Sequence, residues 1–237
     1  MPRVRNAARR CVQALRRMLR PALPDDRLLV SQKFGLDRGQ PIDRFYIESF
    51  IRENAGRISG SVLEIGDTIY TQRFGRQVVR SDVLHLTEQL GPTGIVGDLQ
   101  DPRTLAGRRY DCIILTQVLQ FIPRPDEALK NAWAACAEGG TILVTVPCVS
   151  QISEFDQARW GEYWRFTDRG LRLMLAPLEQ AEITVTSRGN LSACVAFLRG
   201  LAVEDLRGGE LNSDDDRFPF IVTARVQKIG QTGVPSR

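Results

Sequence analysis

Histidine and long apolar runs are scarce in this sequence of 237 residues. There is one histidine, and the longest apolar stretch, "TILVTVPCV" (141–149), is far shorter than the roughly 18–20 residues that span a bilayer. The basic N-terminus lacks the apolar core and cleavage site of a signal peptide. The five cysteines are scattered and form no CxxC pair, which favours reduced core thiols over disulfides or zinc. These absences predict a cytoplasmic protein with no transmembrane segment and no metal centre.

Positive charge is concentrated at the N-terminus. The chain carries a net charge of +4, but residues 1–20 hold seven arginines and no acid, which leaves −3 for the remainder. The remainder therefore lacks the basic surface of a nucleic-acid-binding protein. Apolar side chains at helical spacing predict a helix in this segment that Pro21 ends: Ala8, Cys11, Val12, Leu15 and Leu19. Three hypotheses remain for it: a packing or homodimerisation helix, a helix that binds a membrane surface or an anionic partner, or a disordered extension.

Apolar strands alternate with helices through most of the chain. The pattern predicts strands near 61–65, 77–81, 94–96, 112–116 and 141–146, and helices near 41–55 and 125–139. From Asp168 onward it predicts two helices and two strands, at 182–188 and 219–227, that alternate like an antiparallel pair. We therefore expect an α/β fold with a doubly wound, mostly parallel, Rossmann-like sheet and a C-terminal antiparallel strand pair. Residues 82–93 barely suffice for a parallel crossover, so its helix should be reduced or lost.

Polar residues and a glycine follow the predicted strands where a ligand of such a sheet would bind. Glu64 and Gly66 end the first strand, Asp82 ends the second, Asp98 ends the third and Gln117 follows the fourth. An acid after the second strand can accept hydrogen bonds from both ribose hydroxyls. Each residue alone could instead cap a helix or a loop, but together they favour a nucleoside. NAD is disfavoured, because the G-x-G-x-x-G turn that binds its pyrophosphate is absent.

Three motifs carry a family resemblance. "EIGDTIY" (64–70) is similar to E-x-G-x-G-x-G, "YDCIILTQVLQFI" (110–122) to a region usually rich in acids, and "CAEGGTILVTVP" (136–147) to L-K-P-G-G-x-L-h-h-x-x-P. The chain resembles a class I S-adenosylmethionine-dependent methyltransferase over roughly residues 30–226. "PIDRFYIESFI", "SDVLH" and "YWRFT" resemble a bacterial subgroup found near glycosyltransferases and in natural-product or polysaccharide biosynthesis. The expected organisation is a basic helix or extension (1–28), lid helices (29–60), the methyltransferase domain (61–230) and a disordered tail (231–237).

The resemblance implies a set of residues that bind S-adenosylmethionine. Glu64, Gly66 and Asp67 would surround the methionine part and Asp82 the ribose. Val83 could pack on the purine, Asp98 and Leu99 would contact the adenine, and Gln117 would lie near the sulfonium. The chain departs from the family where Thr68 and Tyr70 replace glycines and where Gln117 and Gln120 replace acids. Because this cofactor has no phosphate to bind, the missing glycines argue against a pyrophosphate more than against it.

Candidates for the acceptor side come from residue chemistry and from where a fold of this kind usually binds its acceptor. His85 is the only histidine and could be a general base, although its place after Asp82 suits a structural or adenine-contacting role better. Asp43, Arg44 and Tyr46 precede the first strand, where this fold covers its pocket. Other candidates follow the fifth strand and offer an acid, a cation and aromatic faces: Glu162, Tyr163, Trp164 and Arg165. The alternative for that group is packing beneath a helix that Thr167 caps.

The prediction is methyl transfer from S-adenosylmethionine to a small-molecule or glycan-type acceptor, on oxygen before nitrogen. Alignment of the acceptor with the methyl group supplies most of the acceleration in such a displacement. One alternative is a degenerate member of the fold that binds or assembles without transferring methyl. Another is a member that uses the cofactor in a non-methylating reaction.

Overall fold

A computed structural model describes residues 29–88 and 91–230, in which the strands form one sheet. The sheet has seven strands in the order β3-β2-β1-β4-β5-β7-β6, and neighbours are parallel except that β7 runs antiparallel to both β5 and β6. This architecture confirms the predicted fold class. The strands are β1 (Gly60–Ile65), β2 (Val78–His85), β3 (Gly94–Val96), β4 (Tyr110–Thr116), β5 (Cys136–Pro147), β6 (Ala181–Arg188) and β7 (Ile221–Lys228).

Helices cover both faces of the sheet because its central strands are apolar on both sides. They are α1 (Ile42–Glu53), α2 (Ile69–Phe74), α3 (Pro125–Ala135), α4 (Glu154–Trp160), α5 (Asp168–Leu175) and α6 (Leu191–Leu198). On one face, α1, α2 and α6 pack with Val62 and Ile114 in one buried cluster. On the other face, α3 and α5 pack with Leu63 and Ile113 in a second cluster. Successive residues of a strand therefore contribute to opposite cores.

The short crossover between β2 and β3 has the form that its length predicts. In the described part of this connection, residues 86–88 and 91–93, there is no helix. Val79 of β2 and Val96 of the edge strand β3 are exposed on this side of the sheet. A cleft of about 700 Å³ lies here between α2 and β2, beside the loop that follows β1.

Two boundaries differ from the sequence prediction. The second strand does not end at Ser81 but continues to His85, because Val83 and Leu84 pair with β1 and β3. The helix predicted to end at Gly139 ends at Ala135 instead. Cys136 is extended and buried, and it pairs with Tyr110 of β4. Strand β5 therefore begins at Cys136, five residues before the predicted start at Thr141.

The predictions for residues 1–28 and 231–237 lie outside the described residues. The division of the described chain into lid helices and a main domain remains a prediction. The contacts of α1 bear on its packing: Ile42 and Ile51 are fully buried in the core on one face of the sheet.

Candidate active site at the carboxyl edge of the sheet

Gly66 makes the turn at the carboxyl end of β1. Its φ is +85°, and a Cβ placed on it would meet no atom within 4 Å. Its N–H donates to the Leu84 carbonyl at 3.0 Å, which fixes the turn against β2. The turn therefore combines the backbone conformation that glycine permits with open space in which a ligand can approach.

Glu64 organises the loop that follows this turn. Its carboxylate is 1% exposed and accepts from Tyr70 N at 3.0 Å, Thr71 N at 2.9 Å and Thr71 Oγ1 at 2.7 Å. Burial raises the pKa of Glu64 to about 7. Asp67 is exposed and accepts from Ile69 N at 2.9 Å. Glu64 thus satisfies the N-terminal N–H groups of α2, whereas Asp67 stands at the open side of the loop.

Thr68 and Tyr70, which replace the family's glycines, lie in different environments. Tyr70 is buried in the core on the α1 and α2 face, where its ring stacks 6.5 Å from that of Phe74. Thr68 lines the cleft with Gly66 and Asp67 and accepts from Gln72 Nε2 at 2.6 Å. The larger of the two side chains therefore fills the core and leaves the turn at Gly66 open.

Asp82 lies inside β2 and not at its end. The side chain is on the α3 and α5 face, 4% exposed, and accepts from the Tyr110 hydroxyl at 2.8 Å. It also pairs with Arg80 at 3.3 Å and Arg108 at 3.9 Å. The prediction that Asp82 ends the second strand is therefore wrong. The run "SDVLH" looked like a strand end because it holds an acid, but the phenol and the two guanidinium groups stabilise that acid within the strand.

His85 ends β2 where the sequence analysis expected Asp82. Its Nδ1 accepts from Glu88 N at 2.9 Å and Thr87 N at 3.3 Å. With Nδ1 engaged as an acceptor, the neutral ring carries its hydrogen on Nε2. Val83, two residues earlier, lines the cleft, so β2 presents both residues on the face that bears Gly66 and α2.

Asp98 and Leu99 follow β3 in a tight turn. Asp98 accepts from Gln100 N at 2.8 Å and from Gln100 Nε2, so its carboxylate stabilises its own loop. Leu99 is buried, and its carbonyl accepts from Asn131 Nδ2 of α3 at 2.9 Å. The turn is thereby anchored beside the ends of β2 and β3.

Two glutamines occupy the carboxyl end of β4. Gln117 has φ +53°, a conformation that costs a non-glycine residue energy, and its N–H donates to the Thr145 carbonyl at 2.9 Å. Gln120 donates from Nε2 to Gln117 Oε1 at 3.3 Å. Gln120 is 4% exposed, and its own Oε1 has no hydrogen-bond partner among the described residues. In the sequence, Gln120 stands out only as a departure from the family; its acceptor, to which no described residue donates, becomes visible in the fold.

Aromatic side chains lie together at the carboxyl edge of the sheet. Trp160, at the end of α4, has its ring centroid 6.3 Å from that of His85 and 6.0 Å from that of Phe121. A helix after the fifth strand thus reaches across to the end of the second. Helix α4 is not predicted by the apolar pattern of the sequence, although Ser153 is an N-cap signal and accepts from Asp156 N.

The residues after α4 pack as a structural group. Glu162 accepts from Ser153 N at 2.9 Å and pairs with Arg165 at 2.6 Å. Arg165 also donates to the Gln151 carbonyl at 2.9 Å, and Trp164 Nε1 donates to the Ile122 carbonyl at 3.0 Å. Tyr163 is half exposed. This geometry is that of the packing alternative, including Thr167, which caps α5 by accepting from Gly170 N.

Two of the three candidates on α1 lie close to Tyr70 of α2. Asp43 and Arg44 begin the helix, and their charges act on Tyr70 behind the loop that follows Gly66. Burial raises the pKa of Asp43. Tyr46 points elsewhere: it is buried, and its hydroxyl donates to the Leu211 carbonyl at 3.1 Å. The proposed substrate role of Tyr46 conflicts with this placement, because its side chain packs in the core beneath α1, α2 and α6. In the described ranges, no group of three or more His, Cys, Asp or Glu side chains could hold a metal ion, and no helix is long and apolar enough to cross a bilayer.

The fold and this edge define a class of protein. Residues 47–177 match the family described as "Methyltransferase domain", which covers more than half of the chain. The chain belongs to this family, the class I S-adenosylmethionine-dependent methyltransferases. No curated protein sequence matches it.

Solved methyltransferase structures share the fold at low sequence identity. N-methyltransferase NodS from Bradyrhizobium japonicum WM9, in complex with S-adenosyl-L-homocysteine, is 15% identical with a TM-score of 0.51, over 86% of this chain and 95% of that one. A SAM-dependent methyltransferase from Archaeoglobus fulgidus is 13% identical with a TM-score of 0.52, over 78% and 94%. The plantazolicin methyltransferase BpumL, in complex with a triazolic desmethylPZN analog and SAH, is 15% identical with a TM-score of 0.50, over 88% and 92%.

Proposed function

We propose that this protein transfers a methyl group from S-adenosylmethionine to a hydroxyl or amine of a small-molecule or glycan-type acceptor. The observation that carries the proposal is the open turn at Gly66. It lies at the end of β1, where the sheet order changes direction between β1 and β4. In open α/β sheets, ligands bind in the crevice at such a switch point.

The cofactor would be held by loops that leave these strand ends. The turn at Gly66 and the exposed Asp67 suit the methionine part, and Gln117 lies at the neighbouring end of β4. We assign the ribose to His85, whose Nε2 hydrogen can donate to a hydroxyl, in place of the buried Asp82. The turn of Asp98 and Leu99 borders the adenine position. Glu64 does not contact the cofactor in this proposal; its hydrogen bonds hold the loop that follows Gly66 in place.

When bound, the cofactor supplies a methyl group that is attached to a cationic sulfur. The sulfur is an excellent leaving group. The protein's contribution is alignment and exclusion of water. Gln120 Oε1 is a buried acceptor to which no described residue donates, and it can take a hydrogen bond from an acceptor hydroxyl or amine. The amides of Gln117 and Gln120 orient such a group but do not remove its proton.

His85 is a poor candidate for the general base in this arrangement. Its Nδ1 accepts two backbone N–H groups, and the other ring nitrogen carries the hydrogen. The lone pair that a base needs is thus engaged by the loop. An amine acceptor, which needs no base once it is neutral, fits this edge at least as well as a hydroxyl.

The acceptor class is supported by the resemblance of "PIDRFYIESFI" and "YWRFT" to the subgroup found near glycosyltransferases. BpumL, which shares the fold, was solved with an analogue of a natural product. The exposed Tyr163 and the cleft residues Thr68 and Gln72 offer polar groups that could bind a small molecule or a glycan.

Calorimetry on two matched glycine variants tests the proposal. Gly66 and Gly107 both have positive φ and both have free space around a Cβ, so alanine strains either backbone similarly. We expect S-adenosylhomocysteine to bind the parent and Gly107→Ala at micromolar Kd, and Gly66→Ala at least tenfold more weakly.

Two outcomes separate the alternatives. No binding by the correctly folded parent would refute the proposal and favour the degenerate binding module. Binding with a product that has not gained one CH₂ by mass spectrometry would favour the non-methylating reaction.

A further inference from the structure

An apolar stripe lies exposed on α6. Leu191, Val195 and Leu198 occur at positions i, i+4 and i+7, which share one face of a helix, and they are 52%, 47% and 43% exposed. The opposite face of α6 is buried through Ala193 and Phe197. The described part of the chain leaves the stripe uncovered, although three large apolar side chains in a row favour contact with another apolar surface.

The chain enters the described structure at the end of this stripe. Val30 N donates to the Arg199 carbonyl at 2.8 Å, just after α6, and Leu29 and Val30 are themselves exposed apolar residues. The described chain therefore starts, at Leu29, next to the residue that follows α6. Eight residues, 21–28, separate the predicted helix from this point, and they can span up to about 26 Å. That exceeds the roughly 12 Å length of α6.

Charge at the other end of the stripe is complementary to the N-terminal segment. Residues 204–217, which we call the acidic loop, hold six carboxylates and two arginines, a net charge of −4. Arg38 and Arg188 pair with Asp205 and Asp214 from outside this range, so −4 + 2 leaves a local net charge of −2. Four of these acids line a cleft of about 710 Å³ that Leu191 also lines: Glu210, Asp214, Asp215 and Asp216. Residues 1–20 hold seven arginines and no acid. An amphipathic helix from residues 1–20 would place leucines on the stripe and arginines beside the acidic loop.

We propose that residues 8–20 form a helix that docks on the α6 stripe of the same chain. A helix of this length is only marginal alone in water, so its apolar side must pack to be stable. Attachment at Leu29 raises the local concentration of the segment to about millimolar, which favours the same molecule over a second copy. The acidic loop beside α6 repels anionic lipid, which disfavours a membrane as the occupant of the stripe.

Hydrogen exchange of the full chain, read by mass spectrometry, tests this docking. We expect amides of residues 8–20 to exchange at least tenfold more slowly than in the free peptide of the same sequence. Val195→Lys with Leu198→Lys should remove that protection, because two cations then face the arginine-rich helix. Leu173→Lys is the matched control: this leucine is 76% exposed on α5, away from the stripe.

A variant in the docking segment controls for the possibility that the substitutions in α6 disturb the folding of that helix. Leu15→Lys with Leu19→Lys changes only the docking segment, and we expect it to speed exchange in residues 191–199 as much as deletion of residues 1–28 does. The proposal is overturned if residues 8–20 exchange like the free peptide, or if the double variant on α6 leaves their protection unchanged. It is also overturned if protection grows with protein concentration alongside a dimer mass, or occurs only with phosphatidylglycerol vesicles.

Discussion

At the scale of single residues, the polar groups at the carboxyl edge first build their own loops. Glu64, Asp67, His85 and Asp98 each accept at least one backbone N–H from the residues that follow them. Each loop is therefore shaped before any ligand arrives. Preorganised loops lower the conformational cost of binding, so these residues act on a ligand largely through the backbone that they position.

Asp82 and His85 should respond oppositely to truncation. Asp82→Ala leaves Tyr110 unpaired and two arginines without their acid, so we expect a loss of about 2–4 kcal/mol in the free energy of unfolding and little change in cofactor Kd. His85→Ala removes a surface-facing donor, so we expect a roughly tenfold higher Kd and a small stability change. Urea unfolding and calorimetry with S-adenosylhomocysteine measure both. The reverse pattern would return the ribose to Asp82.

Glu64 should make stability depend on pH between about 4.5 and 7. Its pKa is raised to about 7 in the folded state, so the native protein holds a proton there that the unfolded chain has released. The stabilisation that Glu64 contributes is complete below its pKa in the unfolded chain and is lost as the pH rises through 7. We expect a decrease of about 3 kcal/mol across this window. In Glu64→Gln, which cannot titrate, this part of the slope should vanish in urea unfolding. An unchanged slope would mean that Glu64 is ionised throughout.

At the scale of elements, the sequence predicts the elements that are buried and apolar, and it misses those that polar side-chain contacts stabilise. The parallel strands are apolar on both faces, so β1, β4 and residues 141–146 of β5 could be predicted directly. The end of β2 could not, because Asp82 satisfies its charge through Tyr110, which is 28 residues away in the chain. Helix α4 buries no residue and therefore shows no apolar period. Its stability comes from the Ser153 cap and from Glu162 and Arg165, which anchor its first turn.

Helix α4 places Trp160 where its fluorescence should report on the cofactor. The indole contacts His85, which we assign to the ribose, so binding should change its surroundings. We expect S-adenosylhomocysteine to alter the tryptophan emission of the parent and of Trp164→Phe, because Trp164 is fixed on the Ile122 carbonyl. The change should be lost in Trp160→Phe. A signal that persists in Trp160→Phe but disappears in Trp164→Phe would place the cofactor away from α4.

At the scale of the whole molecule, one sheet separates two cores that share its strands. Leu63 belongs to the core beneath α3 and α5, whereas its neighbour Val62 belongs to the core beneath α1, α2 and α6. Opening either layer of helices would expose one face of the same five central strands. We therefore infer that the two cores unfold together as one cooperative unit.

Buried thiols on both faces can test that cooperativity. Cys112 and Cys194 lie in the core beneath α1, α2 and α6, and Cys136 lies in the other core. Burial raises the pKa of all three thiols, to about 11 for Cys136 and for Cys194, so the native protein should react slowly with iodoacetamide. In a Cys11→Ser background, we expect the three to be alkylated at one rate, with one dependence on urea, because each requires global opening. Mass spectrometry of the peptides resolves them. Cys136 alone reacting early would show that α3 and α5 leave the sheet independently, and that the shared strands do not couple the two cores.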